Sequence, residues 1–156
     1  MSAFIFEKIK SLLDSNNVNY KLAIHEPVRT SEEAAAIRGV DISTGAKAMI
    51  VKTSDGVFYL FVLPADKRLD WKKVKQILQV RDVTLATTEE VLNLTGVEVG
   101  GVPPFGNVMG LKTYFDEDLQ TKEVLNFNAG LRTHSVSMSP KDLVELVQPI
   151  ICSSTK

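Results

Sequence analysis

Ala46-Lys-Ala-Met-Ile-Val-Lys-Thr-Ser-Asp-Gly-Val-Phe-Tyr-Leu-Phe-Val-Leu63 is the stretch that decides the fold. Its first part alternates, so as a strand Lys47, Met49 and Val51 share one face and Ala48 and Ile50 the other. Ser54-Asp-Gly56 is a tight hairpin turn. Val57 to Leu63 is almost wholly apolar, as expected of a central strand buried on both faces. Pro64 ends it.

Toward the N-terminus, Ile5, Ile9, Leu12 and Leu13 recur at helical spacing, predicting a helix that ends near Asn16-Asn17. Val18, Tyr20, Leu22 and Ile24 alternate with polar or small residues, the pattern of a half-buried strand. Thr30-Ser-Glu-Glu33 fits a capping box for a short helix through Ala34–Ile37, with Gly39 as its stop. Toward the C-terminus, Asp70 caps a helix that turns Trp71, Val74, Ile77 and Leu78 inward. Val83–Ala86 reads as a short strand. Thr87-Thr-Glu-Glu90 is a second capping box, opening a helix with Val91, Leu92 and Leu94. Val108–Phe115, Glu123–Phe127 and Thr133–Met138 read as strands. Ser139-Pro140 opens a last helix and Pro149 closes it. The expected fold is α+β: a single domain over 1–156 whose mixed, mostly antiparallel sheet curves toward a barrel, with helices outside.

The chain has 156 residues, of which 44% are hydrophobic and 24% charged, a globular profile. No apolar run is long enough for a membrane span. The first residues lack a signal-peptide core, so a cytoplasmic protein is expected. One cysteine, Cys152, excludes an internal disulfide. One Cys and two His do not make a dedicated zinc cage, so neither metal nor cofactor is expected. A net charge of −1 disfavours gripping long DNA, whereas a local contact to an RNA end stays open. The densest basic stretch, Lys67 to Lys75, reads as the solvated face of an amphipathic helix.

Gly96-Val-Glu-Val-Gly-Gly-Val-Pro-Pro-Phe-Gly106 holds four glycines and two prolines in eleven residues. It cannot propagate a helix or a central strand, so it is a shaped loop. Such loops offer N–H groups to an oxygen that carries or develops negative charge, although a plain structural turn has the same composition. Lys47 sits among Gly45, Ala46, Ala48 and Met49, where an ammonium needs an acceptor such as a phosphate, a carbonyl or a backbone oxygen. An edge-strand lysine that discourages aggregation has the same pattern. His25 ends a strand and His134 lies within one; either is structural or functional. Cys152 lies on a terminal tail expected to fray, a poor place for a nucleophile. Asn128-Ala-Gly130 is a tight turn or a second pocket wall. No nucleophilic triad, Walker sequence or Rossmann fingerprint is present.

Gly45-Ala-Lys-Ala-Met-Ile-Val51, Leu63-Pro-Ala-Asp-Lys-Arg-Leu-Asp70, Thr95-Gly-Val-Glu-Val-Gly-Gly-Val-Pro-Pro-Phe-Gly106 and Asn128-Ala-Gly130, in that order, resemble the YbaK/ProX family of aminoacyl-tRNA deacylases. This family includes the editing domain of bacterial prolyl-tRNA synthetases. The resemblance runs from about His25 to Leu146. It implies hydrolysis of the ester of mischarged tRNA by a mixed α+β domain, acting in trans on the tRNA 3′ end. An aminoacyl-tRNA synthetase or an elongation factor would present the tRNA. The family's characteristic lysine falls on Lys47, and its glycine-proline pocket loop on Gly100, Gly101, Pro104, Phe105 and Gly106. The pocket's far turn falls on Asn128 and Gly130. His25, Met49, His134 and Ser135 follow as further substrate-binding positions. In that reading amides near Gly100 and Gly101 hold the oxyanion, Lys47 anchors the terminal adenosine, a phosphate or the loop, and water attacks. The alternatives are a non-catalytic tRNA- or synthetase-binding module of the same fold, or a hydrolase of small aminoacyl esters.

Overall fold

In the computed structural model, which describes residues 2–156, β2 (Ala46–Thr53) and β3 (Phe58–Pro64) form the expected hairpin around Ser54-Asp55-Gly56. Gly56 takes a φ of +83°, which suits a residue without a side chain. The chain before them forms α1 (Ser2–Ser15), β1 (Tyr20–Ile24) and α2 (Ser31–Arg38). After them come α3 (Trp71–Leu78), β4 (Val83–Leu85), α4 (Thr88–Thr95), α5 (Gly106–Met109), β5 (Lys112–Asp116) and β6 (Leu125–Asn128). β7 (His134–Met138), α6 (Pro140–Val147) and β8 (Ile150–Cys152) complete it. Among the described residues no helix is long and apolar enough to cross a membrane.

The strands form two sheets. One has the order β4-β2-β3-β5-β8, antiparallel through the hairpin and parallel from β3 to β5 and from β5 to β8. The other is antiparallel, in the order β1-β7-β6. A single parallel bridge, Gly45 to Asn126, joins them. Neither sheet closes on itself, so the barrel-like curvature expected from the sequence is replaced by two open ladders that meet at one point. β3 is central, and Leu60 to Leu63 on it are fully buried. Its even-numbered residues face the larger core, with Ile9, Leu13, Phe105, Phe115 and Phe127. Its odd-numbered ones face a smaller core under α3, with Val51, Val74 and Tyr114.

The helix caps follow the sequence except at Thr30, where the Glu33 carboxylate accepts from the Arg29 N–H at 2.9 Å and leaves the expected capping box half made. Thr30, Asp70, Thr87 and Ser139 each accept a backbone N–H of the first turn, and Thr87 with Glu90 completes a capping box. Three other expectations change. The strand expected from Val108 begins at Lys112, because Gly106–Met109 makes one helical turn that Gly110, at φ +73°, terminates. β1 is an edge strand, and Lys21 to Ile24 on it are all exposed rather than half-buried, Ile24 at 70%. The C-terminal tail does not fray. β8 pairs with β5, Ser154 is fully buried, and its backbone N–H and hydroxyl both donate to Asp116 Oδ1. The tail also grips the segment after β3: the Asp70 N–H donates to the Ser154 carbonyl at 2.8 Å and the Lys156 N–H to the Arg68 carbonyl at 3.1 Å.

Candidate active site

Alternate residues of a strand point their backbone groups to opposite neighbours. On the side of β2 away from β3, β4 covers only Val51–Thr53. The Ala46–Met49 edge is left without a strand partner beyond the bridge at Gly45. A cavity of about 230 Å³ runs along that edge. It is lined by Gly45 to Met49, by α2 with the turn through Asp41 and Ile42, and by Val99, Gly100 and Val102. Asn126, Phe127 and Asn128 close the end. Ala34, Ala35, Ala46, Ala48 and Ala65 give the lining an apolar part suited to small groups, beside the polar Arg38, Asp41, Lys47, Asn126 and Asn128.

Lys47 leaves β2 half-buried, and its Nζ donates to the Lys67 carbonyl at 3.1 Å. Burial holds its pKa below the ordinary lysine value, with Arg68 pushing the same way and Glu32 and Asp66 opposing. The ammonium is thus tied to the segment that the C-terminal tail pins down. Gly100 is exposed at the cavity with a φ of +95°. Its carbonyl accepts from the Asn128 side-chain amide, and among the described residues no acceptor meets its N–H.

Lys47, Met49, Gly100 and Asn128 are therefore brought together on one cavity. The remaining residues singled out in the sequence do not border it. The Gly101 N–H donates to the Glu98 carbonyl at 2.9 Å, which closes a turn and takes it away from any substrate oxygen. Gly101, Pro104, Phe105 and Gly106 are buried. Phe105 packs against Phe127 in the core, and a Cβ on Gly106 would lie 1.6 Å from Thr113 Oγ1. Gly130, at φ +92°, receives Ile5 and the Phe6 backbone of α1. His134 stacks its ring on Phe6, with centroids 4.7 Å apart, and its Nδ1 meets Thr133 Oγ1. These are framework contacts.

His25 and Ser135 lie one layer behind the cavity. His25 Nδ1 faces the Glu26 carbonyl, which can only accept, so Nδ1 carries a proton and donates at 2.8 Å. His25 Nε2 lies 2.6 Å from Ser135 Oγ. That oxygen accepts from Arg38 Nε at 2.9 Å, and Arg38 Nη2 donates to Asn128 Oδ1 at 3.0 Å. Arg38 is the residue that sequence reasoning missed. It lines the cavity, and burial alone pushes its pKa down to about 10. A basic residue in the last turn of a helix already has an explanation in the helix dipole, so nothing in the sequence marks it. The whole α2 wall was invisible for the same reason: its residues read as an ordinary capped helix. Among the described residues no three His, Cys, Asp or Glu side chains gather as metal ligands.

Residues 25–146 match the aminoacyl-tRNA editing domain. The chain is 31% identical over 147 residues to the Multifunctional Ser/Thr-tRNA deacylase ProXp-y of Escherichia coli K12, covering 92% of this chain and 88% of that protein. It is 36% identical over 108 residues to a proline–tRNA ligase of Bacillus licheniformis, covering 69% of this chain and 18% of the ligase. Among solved structures it superposes on hypothetical protein APE2540 with a TM-score of 0.85 at 31% identity, covering 96% of this chain and 99% of the other. It superposes on a candidate trans-editing enzyme for prolyl tRNA synthetase with a TM-score of 0.82 at 27% identity, covering 97% and 96%. The order of lysine strand, glycine-proline loop and far turn, the cavity between them and these matches agree: the chain belongs to the aminoacyl-tRNA editing domain family.

Proposed function

We infer that the chain is a trans-acting deacylase, which hydrolyses the ester joining a wrong amino acid to the 3′ end of tRNA, with the cavity between α2, β2 and the Val99–Val102 loop as its active site. The observation that carries this is the convergence of Lys47 and Gly100 on one cavity in a member of the editing family. The aminoacyl group lies along the β2 edge. Attack of water on the ester carbon drives charge onto the carbonyl oxygen, and the Gly100 N–H donates to it. A preorganised donor of this kind is worth about 3 kcal/mol. Asn128 holds the Gly100 carbonyl and so fixes the peptide that follows that amide. The Lys47 ammonium anchors the terminal adenosine or its phosphate rather than serving as base, because a base must first be neutral. A hydroxyl of the terminal ribose assists the water.

Editing is needed because one methylene separates amino acids by only about 1–3 kcal/mol in an apolar pocket. The alanine-lined space admits small side chains. The name of the E. coli relative puts seryl and threonyl esters first in the assay. A synthetase or elongation factor delivers the tRNA. The test is deacylation of a panel of mischarged tRNAs: hydrolysis of at least one member supports the reading. A folded protein that hydrolyses none leaves a binding module in its place. Free aminoacyl esters cleaved as fast as tRNA-linked ones would point instead to a small-ester hydrolase.

A further inference from the structure

We propose that Arg38 binds a negatively charged oxygen of the substrate's aminoacyl-adenosine terminus, and that Asn128, Ser135 and His25 are the positioning residues that hold it there. The proposal rests on the deacylase reading of the cavity and adds a residue and a ligand chemistry to it.

A guanidinium carries five N–H donors and accepts nothing. Arg38 commits Nε to Ser135 and Nη2 to Asn128. Neither partner is charged, and no carboxylate pairs with it among the described residues. A partly buried cation without a counter-ion is costly, and two hydrogen bonds to neutral acceptors offset only part of the loss. Its Nη1 has no protein acceptor among the described residues, yet no buried donor is left unsatisfied. Nη1 therefore still reaches open space. The space it borders is the cavity, which Arg38 lines together with Gly45.

The two committed donors fix the plane of the guanidinium. Ser135 is itself backed by His25 Nε2, and Asn128 bridges Arg38 to the Gly100 carbonyl. One chain of contacts thus ties the cation to the loop that carries the proposed oxyanion donor. Such a locked, uncompensated guanidinium suits an anionic oxygen better than a neutral hydroxyl, since only the anion brings the opposite charge that Ser135 and Asn128 do not supply. Two oxygens of the substrate have that character. One is the phosphodiester oxygen beside the terminal nucleoside, charged from the start. The other is the ester carbonyl oxygen, charged only as water adds. The α-ammonium of the amino acid must lie away from Arg38.

The test is steady-state deacylation by wild type, Arg38→Gln and Arg38→Lys on a mischarged tRNA that the wild type cleaves. The same ester on adenosine alone, which lacks phosphate, serves as second substrate. Arg38→Gln should lose at least tenfold in kcat/KM on tRNA, and Arg38→Lys should recover part of it. A loss confined to KM, and absent on the adenosine ester, assigns the phosphodiester. A loss in kcat on both substrates assigns the carbonyl oxygen. Thermal melting shows whether each variant is folded. Should Arg38→Gln not fold, Arg38→Lys is judged alone, its planar fork replaced by a point charge, and a loss of threefold or more on tRNA is expected. Folded variants that match wild type on both substrates overturn the proposal and leave the deacylase intact. A wild type that cleaves no ester overturns the deacylase instead. In that case, saturable binding of adenosine 5′-monophosphate that Arg38→Gln abolishes still supports the anion site, and no binding refutes it.

Discussion

The two halves of the glycine-proline run behave as different parts of the molecule. Val99, Gly100 and Val102 border the cavity, and Gly100 is exposed with its carbonyl held by Asn128. From Pro103 to Gly106 every residue is buried, and Phe105 is fully inside the core. The first half presents backbone to a ligand. The second half is packing that fixes where the first half stands. Gly101 is the join: its N–H closes a turn onto Glu98, and its carbonyl accepts from the Gly130 N–H.

If that division is right, the largest effect comes from the buried end. Gly106→Ala would put a Cβ 1.6 Å from Thr113 Oγ1 and 2.7 Å from the Leu111 carbonyl, and one of these is backbone. A loss of about 3 kcal/mol or more is expected, read by urea unfolding. A variant as stable as wild type would remove the framework role of this half.

Lys47→Ala tests the cavity itself. Deacylation should fall at least tenfold, about 1.4 kcal/mol, because the anchoring cation is gone. Stability should change by no more than about 1 kcal/mol, since the side chain contributes one hydrogen bond to Lys67 and pays for a desolvated ammonium. Wild-type turnover would strip Lys47 of its role.

Gly100→Ala is the counterpart of Gly106→Ala at the exposed end. A positive φ costs a non-glycine residue about 1 kcal/mol or somewhat more, but the added Cβ makes only ordinary contacts, with Arg132 Cδ at 3.4 Å, Arg132 Cγ at 3.7 Å and the Val28 carbonyl at 3.9 Å. The protein should therefore fold while its rate drops several-fold, as the amide shifts from the ester oxygen. Unchanged kinetics in a folded Gly100→Ala would make both halves structural.

The smallest effect is expected at Cys152, on β8 and outside the cavity lining. Burial raises its thiol to about 11, from an ordinary 9.0. The folded chain should react slowly with iodoacetamide at pH 8, and the urea-unfolded chain faster. The sign for stability follows: the folded state holds this proton more tightly. Its contribution is full below pH 9 and lost as the pH rises through about 11. Equal alkylation rates in both states would return the tail to a frayed end.

Much of the fold was legible because its signals are local. The caps at Thr30, Asp70, Thr87 and Ser139 act over three residues, and the hairpin at Ser54-Asp55-Gly56 over three more. β8 was not legible, because three residues have no pattern and it forms only by pairing with β5. The exposure of Leu22 and Ile24 on β1 was hidden too, since alternation says nothing about whether a layer covers the strand. In the site, Lys47, Gly100 and Asn128 stood out because a lysine among alanines and a glycine beside prolines are locally odd. Arg38 is locally ordinary.

The sequence alone determined the capped helices and the β2–β3 hairpin, because their backbone conformation is set by neighbours within a few residues. It also carried the family through the order of its motifs. Tertiary structure alone decided that two sheets stay open, that Gly101 turns away while Gly100 remains at the cavity, and that Arg38 meets Ser135 and Asn128 across some ninety residues. Those outcomes depend on which surfaces are buried against each other. That is a property of the packed whole, and no single stretch of chain contains it.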